Sequence, residues 1–573
     1  MPQGRSQKKQ NLFLISFLIT FIAIFMRGYF FPFSNHSQDL APVMAMLDPA
    51  LFANDFAVQD FLNFGTRTFY QYLVFNLTSL GILNLPEVIF ILNILSHFIF
   101  IFFSIKILAL FLKNHGQSSF YYAGIFFIFL LLSPTISWGN PIIRAEGIPS
   151  TFAMSLAIAA IYFSLKSNFG TSLLLASVTV LFHFLIGIYV AVIIAAYIYI
   201  CDKYRQNILY IFIFLSASLT IFLPTILLSQ SPYTEDLNFI EVFGAFRAPH
   251  HWFPSSASLK VWVVDSLFFI SVWFISLQMN SYEKASKLIK LFQICFFLMI
   301  FFIGLNYLFV EVYPIEFIGK LQFQRFIPFV RYLAILVFII SVFCLYNKSK
   351  KYIISTLLIL LPFSIGIFLQ DDGILFYSCG LFLFFLVALL ASKFSSLPLT
   401  IFIITISVLF NSSLIALNDK YSEIRNLRLN IDGAELIDAN KTANYLKENS
   451  KKSDLILIPP LGKQFLDIFP ILSERSVFVS YKNVPYSNSG LLIWKNRIEQ
   501  LIGVKISPNI KSNMDQYFID QDSEVIETIA ATYGACYYFT NIDWHTKING
   551  TIVFKEEMSN GAFWVLWKLK HCK

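Results

Sequence analysis

The stretch VIFILNILSHFIFIFFSIKILALF, Val88 to Phe111, carries a single charged residue, Lys106. A helix needs about 20 predominantly apolar residues to cross the hydrocarbon core of a bilayer, and this stretch is long enough. Similar apolar stretches recur along much of the chain. Segments of this kind decide the fold class, because they predict membrane-spanning α-helices.

The composition agrees with this interpretation. The chain has 573 residues, of which 57% are hydrophobic and 13% are charged, whereas soluble domains contain about 25% charged residues. The sequence predicts an α-helical polytopic membrane protein with about thirteen transmembrane helices. The spans near residues 177 and 193 are contiguous, which predicts a tight helical hairpin or one broken unit. The predicted spans centre near residues 21, 100, 128, 158, 177, 193, 217, 269, 299, 337, 360, 383 and 407.

The distribution of charge predicts the orientation of these spans. Alternate loops are rich in Lys and Arg, with only Asp202 and Glu283 opposing that charge, and the loops of the other side are acidic. Because Lys and Arg favour cytoplasmic loops, the N-terminus is predicted to be cytoplasmic. The basic segment MPQGRSQKKQ and the apolar run after it are interpreted as a retained first span. An odd number of spans then places the C-terminus outside.

The composition changes near residue 429, which divides the chain into a multi-spanning transmembrane domain, 1–428, and a soluble extracytoplasmic α/β domain, 429–573. In the second domain, short apolar runs typical of strands alternate with helical patterns, and a hairpin is expected at the C-terminal end. The predicted helices are ELIDANKTANYLKE, LLIWKNRIEQLIG and SEVIETIAATYG. The predicted strands are LILIPP (Leu455 to Pro460), VFVSY (Val477 to Tyr481), CYYFT (Cys536 to Thr540), TIVF (Thr551 to Phe554) and FWVLWKL (Phe563 to Leu569).

Two kinds of site have no support in the sequence. No glycine-rich phosphate loop of the dinucleotide-binding or Walker type occurs, so nucleotide binding has no support. No nucleic acid is expected as a partner either. The six cysteines have no paired or regular spacing, so neither a zinc site nor a disulfide framework is predicted.

The loop FGAFRAPHHWFPSS, Phe243 to Ser256, concentrates polar chemistry between apolar segments. Arg247 lies close to His250, His251 and Trp252 in it. A guanidinium group suits phosphate, and a cation on the outer side runs against the usual distribution of charge. The loop therefore predicts an anion-binding site. Trp252 is suited to stacking on a sugar, with packing at the membrane interface as the alternative.

The first outer loop, Ser34 to Phe61, supplies candidate carboxylates. Its apolar spacing predicts an amphipathic helix lying on the membrane surface. Asp39 at the start of that helix is the candidate catalytic base, and an N-cap is the alternative for it. Asp48 before Pro49 is predicted to form a turn, and Asp55 a second cap.

Two further outer loops complete the candidate site. Arg144 and Glu146 stand close together in SWGNPIIRAEGIPS, where a structural ion pair is the alternative to a functional role. Gln324, Arg325 and Arg331 enter from the same side in KLQFQRFIPFVR. For the two arginines, the alternative is a membrane anchor or a salt bridge to a nearby Glu.

These features together resemble known families. One span followed by a long outer loop with an early acidic residue resembles the opening of GT-C-type glycosyltransferases. The sequence is also similar to an uncharacterised family of bacterial multi-spanning proteins, in three places. These are a DPxLFxxD-like first loop (Asp48 to Asp55), an FRxPHHWxPS-like outer loop (Phe246 to Ser255), and a phrase like IPP…RSVFVxYK (Ile458 to Pro460, then Arg475 to Lys482).

The resemblance implies a glycosyltransferase of the bacterial cytoplasmic membrane that acts in the cell envelope. It would transfer a hexosyl or pentosyl group from a polyprenyl-phosphate-linked donor to a glycan, lipid or protein acceptor at the outer face. In this class the acidic residue of the first loop serves as base or metal ligand, which assigns that role to Asp39, with Glu146 as the alternative base. Arg144-Ala145-Glu146 stands where GT-C enzymes carry a DxD or ExD motif, so a divalent metal is left open.

The residues predicted to bind the substrate are Arg144, Arg247, His250, His251, Trp252, Gln324, Arg325 and Arg331. Two other functions stay open beside the transferase. One is a transporter or flippase for lipid-linked sugars, and the other is a non-catalytic assembly protein for envelope glycans. Transporters favour charges near the membrane midplane and repeated halves, and neither feature is recognised in the sequence.

Overall fold

The computed structural model describes residues 3–33, 35–112, 124, 142–201, 238–279, 283–346, 429–485 and 487–572. The chain divides into two compact units. The first comprises Met1–Tyr29, Leu92–Ser218 and His250–Leu429, and the second comprises Phe30–Ile91, Leu219–Pro249 and Asn430–Lys573. The second unit therefore combines the C-terminal part of the chain with two earlier segments.

The described part of the chain before residue 429 is mainly helical. A π-helix, Ile240–Arg247, and a helical turn, Pro249–Trp252, form the polar loop. The helices are α1 (Gln3–Arg27), α2 (His36–Leu47), α3 (Phe56–Leu62), α4 (Thr68–Ser79), α5 (Leu85–Leu112), α6 (Pro149–Leu165), α7 (Phe169–Phe182), α8 (Phe184–Ile200), α9 (Leu259–Gln278), α10 (Glu283–Asn306), α11 (Glu316–Leu321) and α12 (Ile327–Tyr346).

In the first unit, α7 and α8 form the tight hairpin that the contiguous spans predicted. Helix α7 ends at Phe182, and the Nδ1 atom of His183 accepts the backbone N–H of Ile186 at the start of α8. Gly187 makes the close return possible, since a Cβ there would lie 2.3 Å from a methyl carbon of Val180. The helices therefore pack with their backbones nearly in contact.

Three helices among the described residues are long and apolar enough to cross a membrane, namely Leu85–Leu112, Ala285–Val312 and Glu316–Ser341. They correspond to the spans predicted near residues 100, 299 and 337. The apolar helical segments near residues 21, 158, 177 and 193 have only 10–17 residues. The segments near residues 158, 177 and 193 are short because turns near Ser167 and His183 interrupt the apolar run.

The predicted count of about thirteen spans is not supported by the described residues. Helix α9, near residue 269, is not among the three membrane-length helices. The spans predicted near residues 128, 217, 360, 383 and 407 lie outside the described residues.

The second unit contains a five-stranded sheet. Strands β1 (Tyr29–Phe30) and β2 (Leu429–Asn430) are two residues each and do not belong to it. In the sheet, the order is β4-β3-β5-β7-β6, with parallel pairing of β3 to β4 and β5 and antiparallel pairing of β7 to β5 and β6. Its strands are β3 (Leu455–Leu457), β4 (Ser476–Val477), β5 (Ala535–Asn541), β6 (Gly550–Glu557) and β7 (Phe563–Leu569).

The α/β character and the C-terminal hairpin are confirmed, but β4 is shorter than predicted. Strand β3 stops at Leu457, and Pro459 and Pro460 follow soon after. Proline has no backbone N–H to continue a ladder, and the pairing with β3 ends once the Phe478 N–H has donated to the Ile456 oxygen. Residues 478–485 form an irregular coil instead.

Five helices accompany the sheet. The three predicted helical patterns are confirmed as α13, α15 and α17, while α14 and α16 were not predicted. Pro470 inside α14 argues against a helix in the sequence. The helices are α13 (Asn440–Asn449), α14 (Gln464–Ser473), α15 (Asn488–Ile502), α16 (Met514–Ile519) and α17 (Ser523–Tyr533).

Cys536 and Cys572 form a disulfide, with their Cα atoms 5.3 Å apart. The spacing of the cysteines in the sequence did not indicate this bond. The sequence separation of 36 residues gives no signal by itself. The antiparallel pairing of β5 with β7, which places Tyr537 opposite Lys568, brings the two cysteines together.

The first loop has a different role from the one predicted. Helix α2 packs against α4 and α14, and its polar first turn is buried with the rest, so the prediction of a helix lying on the membrane surface is wrong. Asp39 is not the N-cap, because Asn35 occupies that position. Asp55 does cap α3, accepting the N–H groups of Ala57 and Val58, which confirms that prediction.

Candidate functional site

The centre of the candidate site in the second unit is the side chain of Asp39. It lies in the first turn of α2 and is 2% exposed. Arg67, at the N-cap position of α4, donates from Nη1 to Asp39 Oδ1 at 2.5 Å. Arg67 thus holds the carboxylate at one oxygen, Oδ1.

Burial and the nearby positive charges shift the pKa of Asp39 in opposite directions. Burial raises the pKa of this carboxyl above its ordinary value, and the charge and hydrogen bond of Arg67 and the charge of Lys482 partly oppose that shift. A raised carboxyl pKa brings the group closer to neutral pH, where a general base works best.

The coil 478–485 lies against the first turn of α2. Gln38 donates from Nε2 to the backbone oxygen of Lys482 at 2.5 Å. This contact explains why the Lys482 charge acts on Asp39. A carboxylate from the first loop and a lysine from the C-terminal part are therefore neighbours.

The same coil also binds Arg247 at the end of the π-helix. The guanidinium carbon of Arg247 lies 4.7 Å from the centre of the Tyr481 ring, and Nη2 is 3.5 Å from the Lys482 oxygen. Stacking of this kind fixes the plane of a guanidinium group. Arg247 Nε is buried and has no hydrogen-bond partner among the described residues. The side chain is therefore oriented, yet part of its donor capacity is unused.

Lys511 adds a further cation. Its Nζ lies 3.5 Å from the backbone oxygen of Arg247. Burial, together with the charge of Arg247, lowers the pKa of Lys511. An anion bound beside Lys511 and Arg247 would offset the repulsion between their positive charges. It would also favour the protonated form of Lys511, because an opposite charge stabilises the charged state.

We call this group of side chains the Asp39 cluster, comprising Asp39, Arg67, Arg247, Tyr481, Lys482 and Lys511. Asp467 is a second carboxylate near it, since its charge acts on Tyr481. The cluster itself therefore holds four cations and one carboxylate, with Asp467 as the second carboxylate nearby. The sequence pointed to Asp39 and Arg247. Tyr481 was noted only in a predicted strand and, with Lys482, in the RSVFVSYK resemblance, and Lys511 gave no signal.

The other candidates lie in the first unit. His250 and His251 have ring centres 4.0 Å apart. Trp252 is 1% exposed, and its backbone oxygen accepts from Asn306 Nδ2 at 2.8 Å. The burial of Trp252 favours packing over stacking on a sugar. A substrate role for the two histidines stays a prediction.

Arg331 and Asp265 form a pair that the sequence analysis missed. Arg331 Nη1, on α12, lies 3.8 Å from Asp265 Oδ1, on α9, and both residues are 7% exposed. The two residues are far apart in the sequence, and the packing of α9 against α12 joins them.

The remaining candidates have different environments. Gln324 is fully buried, and neither polar atom of its side chain has a partner among the described residues. Arg325 donates from Nε to Gln322 Oε1 at 2.5 Å. Arg144 and Glu146 are both half-buried, and in the described part of the chain they form no ion pair with each other. That ion pair, the structural alternative for this loop, is therefore not found.

The residues of the Asp39 cluster do not suit a divalent metal. Arg67 occupies one oxygen of Asp39, and the charge of Lys482 also acts on this carboxylate. Among the residues that the structure describes, no group of three or more His, Cys, Asp and Glu side chains is placed to hold a metal ion. No step of a mechanism is therefore assigned to a metal.

A comparison with protein families gives one match. The family model, described as a domain of unknown function (DUF6798), covers residues 438–501. This segment runs from α13 to α15 and includes the coil with Tyr481 and Lys482. No curated protein matches the chain. The chain is thus similar to that family over this segment.

Proposed function

We propose that the protein is an integral membrane glycosyltransferase that uses a polyprenyl-phosphate-linked sugar at the outer face of the bacterial cytoplasmic membrane. The observation that carries the proposal is the position of a buried carboxylate, Asp39, beside Lys482 in a cluster that also holds Arg247 and Lys511. A proton acceptor next to cations that bind phosphate is what this transfer requires.

The cations supply the phosphate-binding part of the site. Arg247 presents a planar fork that matches phosphate oxygens, and its orientation is fixed by Tyr481. Lys511 adds a charge beside the backbone oxygen of Arg247, and Lys482 adds one near Asp39. Groups fixed in this way stabilise the leaving phosphate as negative charge develops on it, without reorganising during the reaction.

Asp39 supplies the base. The acceptor hydroxyl oxygen attacks the anomeric carbon of the donor sugar, and its proton moves to Asp39 Oδ2. The bond between the anomeric carbon and the phosphate oxygen breaks, and polyprenyl phosphate leaves with the bonding electron pair. Arg67 holds Oδ1 during this step and keeps Oδ2 in place.

The disulfide supports the proposed location of the C-terminal part. Disulfides form and persist in oxidising compartments, and they are rare in the cytoplasm of most cells. The Cys536–Cys572 bond therefore favours an extracytoplasmic second unit. The membrane-length helices are consistent with a chain held in the membrane.

The test is turnover of the donor by membranes that contain the overproduced protein. Polyprenyl phosphates that carry a radiolabelled hexose or pentose are supplied, and release of polyprenyl phosphate is followed. Wild type is expected to consume at least one donor, and Asp39→Asn to reduce the rate by about 10²–10⁴-fold. Equal turnover by both proteins, at equal amounts of folded protein, would end the assignment of Asp39 as base.

A second candidate function has one specific observation in its favour. The buried Arg331–Asp265 pair is the kind of group that transporters place between helices. It favours a flippase for the same lipid-linked sugar. Reconstituted vesicles distinguish the two functions, since a flippase moves a fluorescent lipid-linked sugar between leaflets without releasing polyprenyl phosphate. Asp265→Asn should then abolish movement, while Asp39→Asn should not.

A further inference from the structure

The segment between Arg67 and Glu87 contains no charged residue, although several of its apolar side chains are exposed. It comprises α4, a turn and the start of α5, and it belongs to the second unit. Tyr72 on α4 is 52% exposed, and Leu80 and Ile82 are 66% and 80% exposed. Among the described residues 430–572 of the same unit, no large apolar side chain is more than 45% exposed. An exposed apolar surface of this kind marks a place of interaction.

Helix α4 buries one face and leaves the opposite face open. Tyr70, Gln71 and Val74 are buried, and the helix packs against α2. Tyr72 and Asn76 are exposed and lie four positions apart, on the side of the helix that faces away from this contact. The open face therefore consists of neutral side chains, both aromatic and polar.

The turn after α4 has a defined shape. Gly81 has a φ of 70°, in the left-handed region that favours glycine, and its N–H donates to the Thr78 oxygen at 3.0 Å. A Cβ built at Gly81 would meet no atom of the described residues within 4 Å. Leu80 and Ile82 flank this glycine. The turn therefore presents two apolar side chains at a position that the described part of the chain leaves open.

A membrane-length helix begins directly after this turn. Helix α5 starts at Leu85 and is long and apolar enough to cross a bilayer. Asn84 and Glu87 cap it reciprocally, because the side chain of each accepts the backbone N–H of the other, at 3.0 and 2.9 Å. This cap pairs two N–H groups that lipid would leave unpaired. Ile82 stands three residues before Leu85, so at most about 11 Å of chain separates it from the start of α5.

These features favour lipid as the partner of the exposed surface. Its continuity with α5 brings it to the point where the chain enters the bilayer. Tyrosine is enriched at the level of the lipid headgroups, where the amide of Asn76 also keeps hydrogen-bonding partners. The side chains of Leu80 and Ile82 lose contact with water when they insert among acyl chains.

We propose that the open face of α4 and the turn from Leu80 to Ile82 form a lipid-binding surface, which lies in the interfacial region of the bilayer beside the start of α5. We call it the α4 surface. It does not depend on the proposed function, because it needs neither a donor nor a base. It does set the depth of the Asp39 cluster, since Arg67 at the N-cap position of α4 donates to Asp39. An α4 that lies in the interface holds this pair near the lipid headgroups.

The experiment measures the surroundings of position 82 in the full-length protein, reconstituted in phosphatidylcholine vesicles. Ile82→Cys is labelled with an environment-sensitive fluorescent maleimide, and the unsubstituted protein treated in the same way gives the background. Part of the phosphatidylcholine carries a spin label on its acyl chain, which quenches the fluorophore on contact. The label at position 82 should lose most of its emission in these vesicles. Iodide present on both sides of the membrane should not quench it.

A matched control comes from another exposed isoleucine of the second unit. Ile552 lies on β6, in a strand at the edge of the sheet. The label on Ile552→Cys should be quenched by iodide and not by the spin-labelled lipid. Leu80→Cys should give the same result as Ile82→Cys, and it decides the question if Ile82→Cys yields no folded protein.

Three results would overturn the α4 surface. Quenching of the label by iodide and not by lipid would place the turn in water. Protection from both quenchers would mean that protein covers the turn, either a second copy or another segment of the chain. Quenching by lipid that appears only after phosphatidylglycerol is added would mean that cations elsewhere hold this unit at an anionic surface. The α4 surface carries no charge, so equal quenching with and without phosphatidylglycerol is expected.

Discussion

Asp55 Oδ2 accepts the backbone N–H of Val477 at 3.1 Å across 422 positions of the chain. The other oxygen of Asp55 accepts the N–H groups of Ala57 and Val58. One buried carboxylate thus caps the N-terminus of a helix of the first loop and binds a strand of the C-terminal sheet. The first loop is therefore a structural part of the second unit.

Asp55→Asn should destabilise the protein. Asparagine caps a helix well through its one oxygen, but it cannot also accept from Val477, and a buried donor without a partner costs about 1–3 kcal/mol. A lower thermal unfolding temperature of the full-length protein in detergent is expected. Asp48→Asn is the control. Asp48 pairs with Lys452, and both side chains are largely accessible to solvent, so the pair contributes about 1 kcal/mol or less to stability. Equal unfolding temperatures for the two variants would contradict the role of Asp55.

Arg67→Gln should shift the pH dependence of sugar transfer. Arg67 opposes the rise in the pKa of Asp39 that burial causes, so its removal raises that pKa further. A base works only when deprotonated, so the acid limb of kcat/KM should move to higher pH by about one to three units. The measurement is the pH profile of donor turnover. The control is Lys320→Gln, which removes a half-buried cation paired with Glu316 in the first unit. An acid limb at the same pH in both variants would show that Arg67 does not act on the base.

Arg247→Lys should bind polyprenyl phosphate nearly as poorly as Arg247→Ala. Lysine keeps the charge, but it loses the planar fork and the stacking on Tyr481. If the side chain only anchored the loop, either long cation would serve. The assay is lipid binding to purified protein. Full binding by Arg247→Lys would reduce this side chain to a structural role.

His36→Asn should make the protein less sensitive to acid. The folded pKa of His36 is lowered to about 3, whereas the ordinary value is 6.5. Between these values the unfolded chain binds a proton that the folded chain does not. The free energy of unfolding therefore falls as the pH falls through that window, by at most about 1.4 kcal/mol per pH unit.

Asparagine can still accept the backbone N–H of Phe33, which His36 Nδ1 accepts at 2.9 Å, and it does not titrate. Unfolding temperatures measured from pH 7 to pH 4 should therefore decline more steeply for wild type than for the variant. Parallel curves would mean that His36 is already protonated, or exposed, in the folded protein.

The disulfide gives a test of topology. The chain has six cysteines, and the bond between Cys536 and Cys572 should protect two of them from a maleimide reagent in the denatured, unreduced protein. Four thiols should react before reduction and six after it.

Reporter fusions after Lys393 and after Lys573 should indicate opposite sides of the membrane. Six reactive thiols without reductant, or fusions on the same side, would contradict an extracytoplasmic C-terminal domain.

The sequence by itself determined those features that depend on local patterns. The apolar stretch around residue 100 predicted a membrane-length helix, because length and hydropathy are properties of the segment alone. The alternation of strands and helices after residue 429 predicted the α/β sheet for the same reason. The cap at Asp55 could be predicted since a cap acts within a few residues.

Only the tertiary structure decided what Asp39 and its neighbours contact. Arg67 reaches Asp39, the coil brings Lys482 beside it, and the Cys536–Cys572 bond closes, because packing joins segments that are distant in the sequence. Burial then sets the pKa of Asp39. Periodicity and composition describe a segment on its own, whereas burial and pairing depend on which other segments cover it.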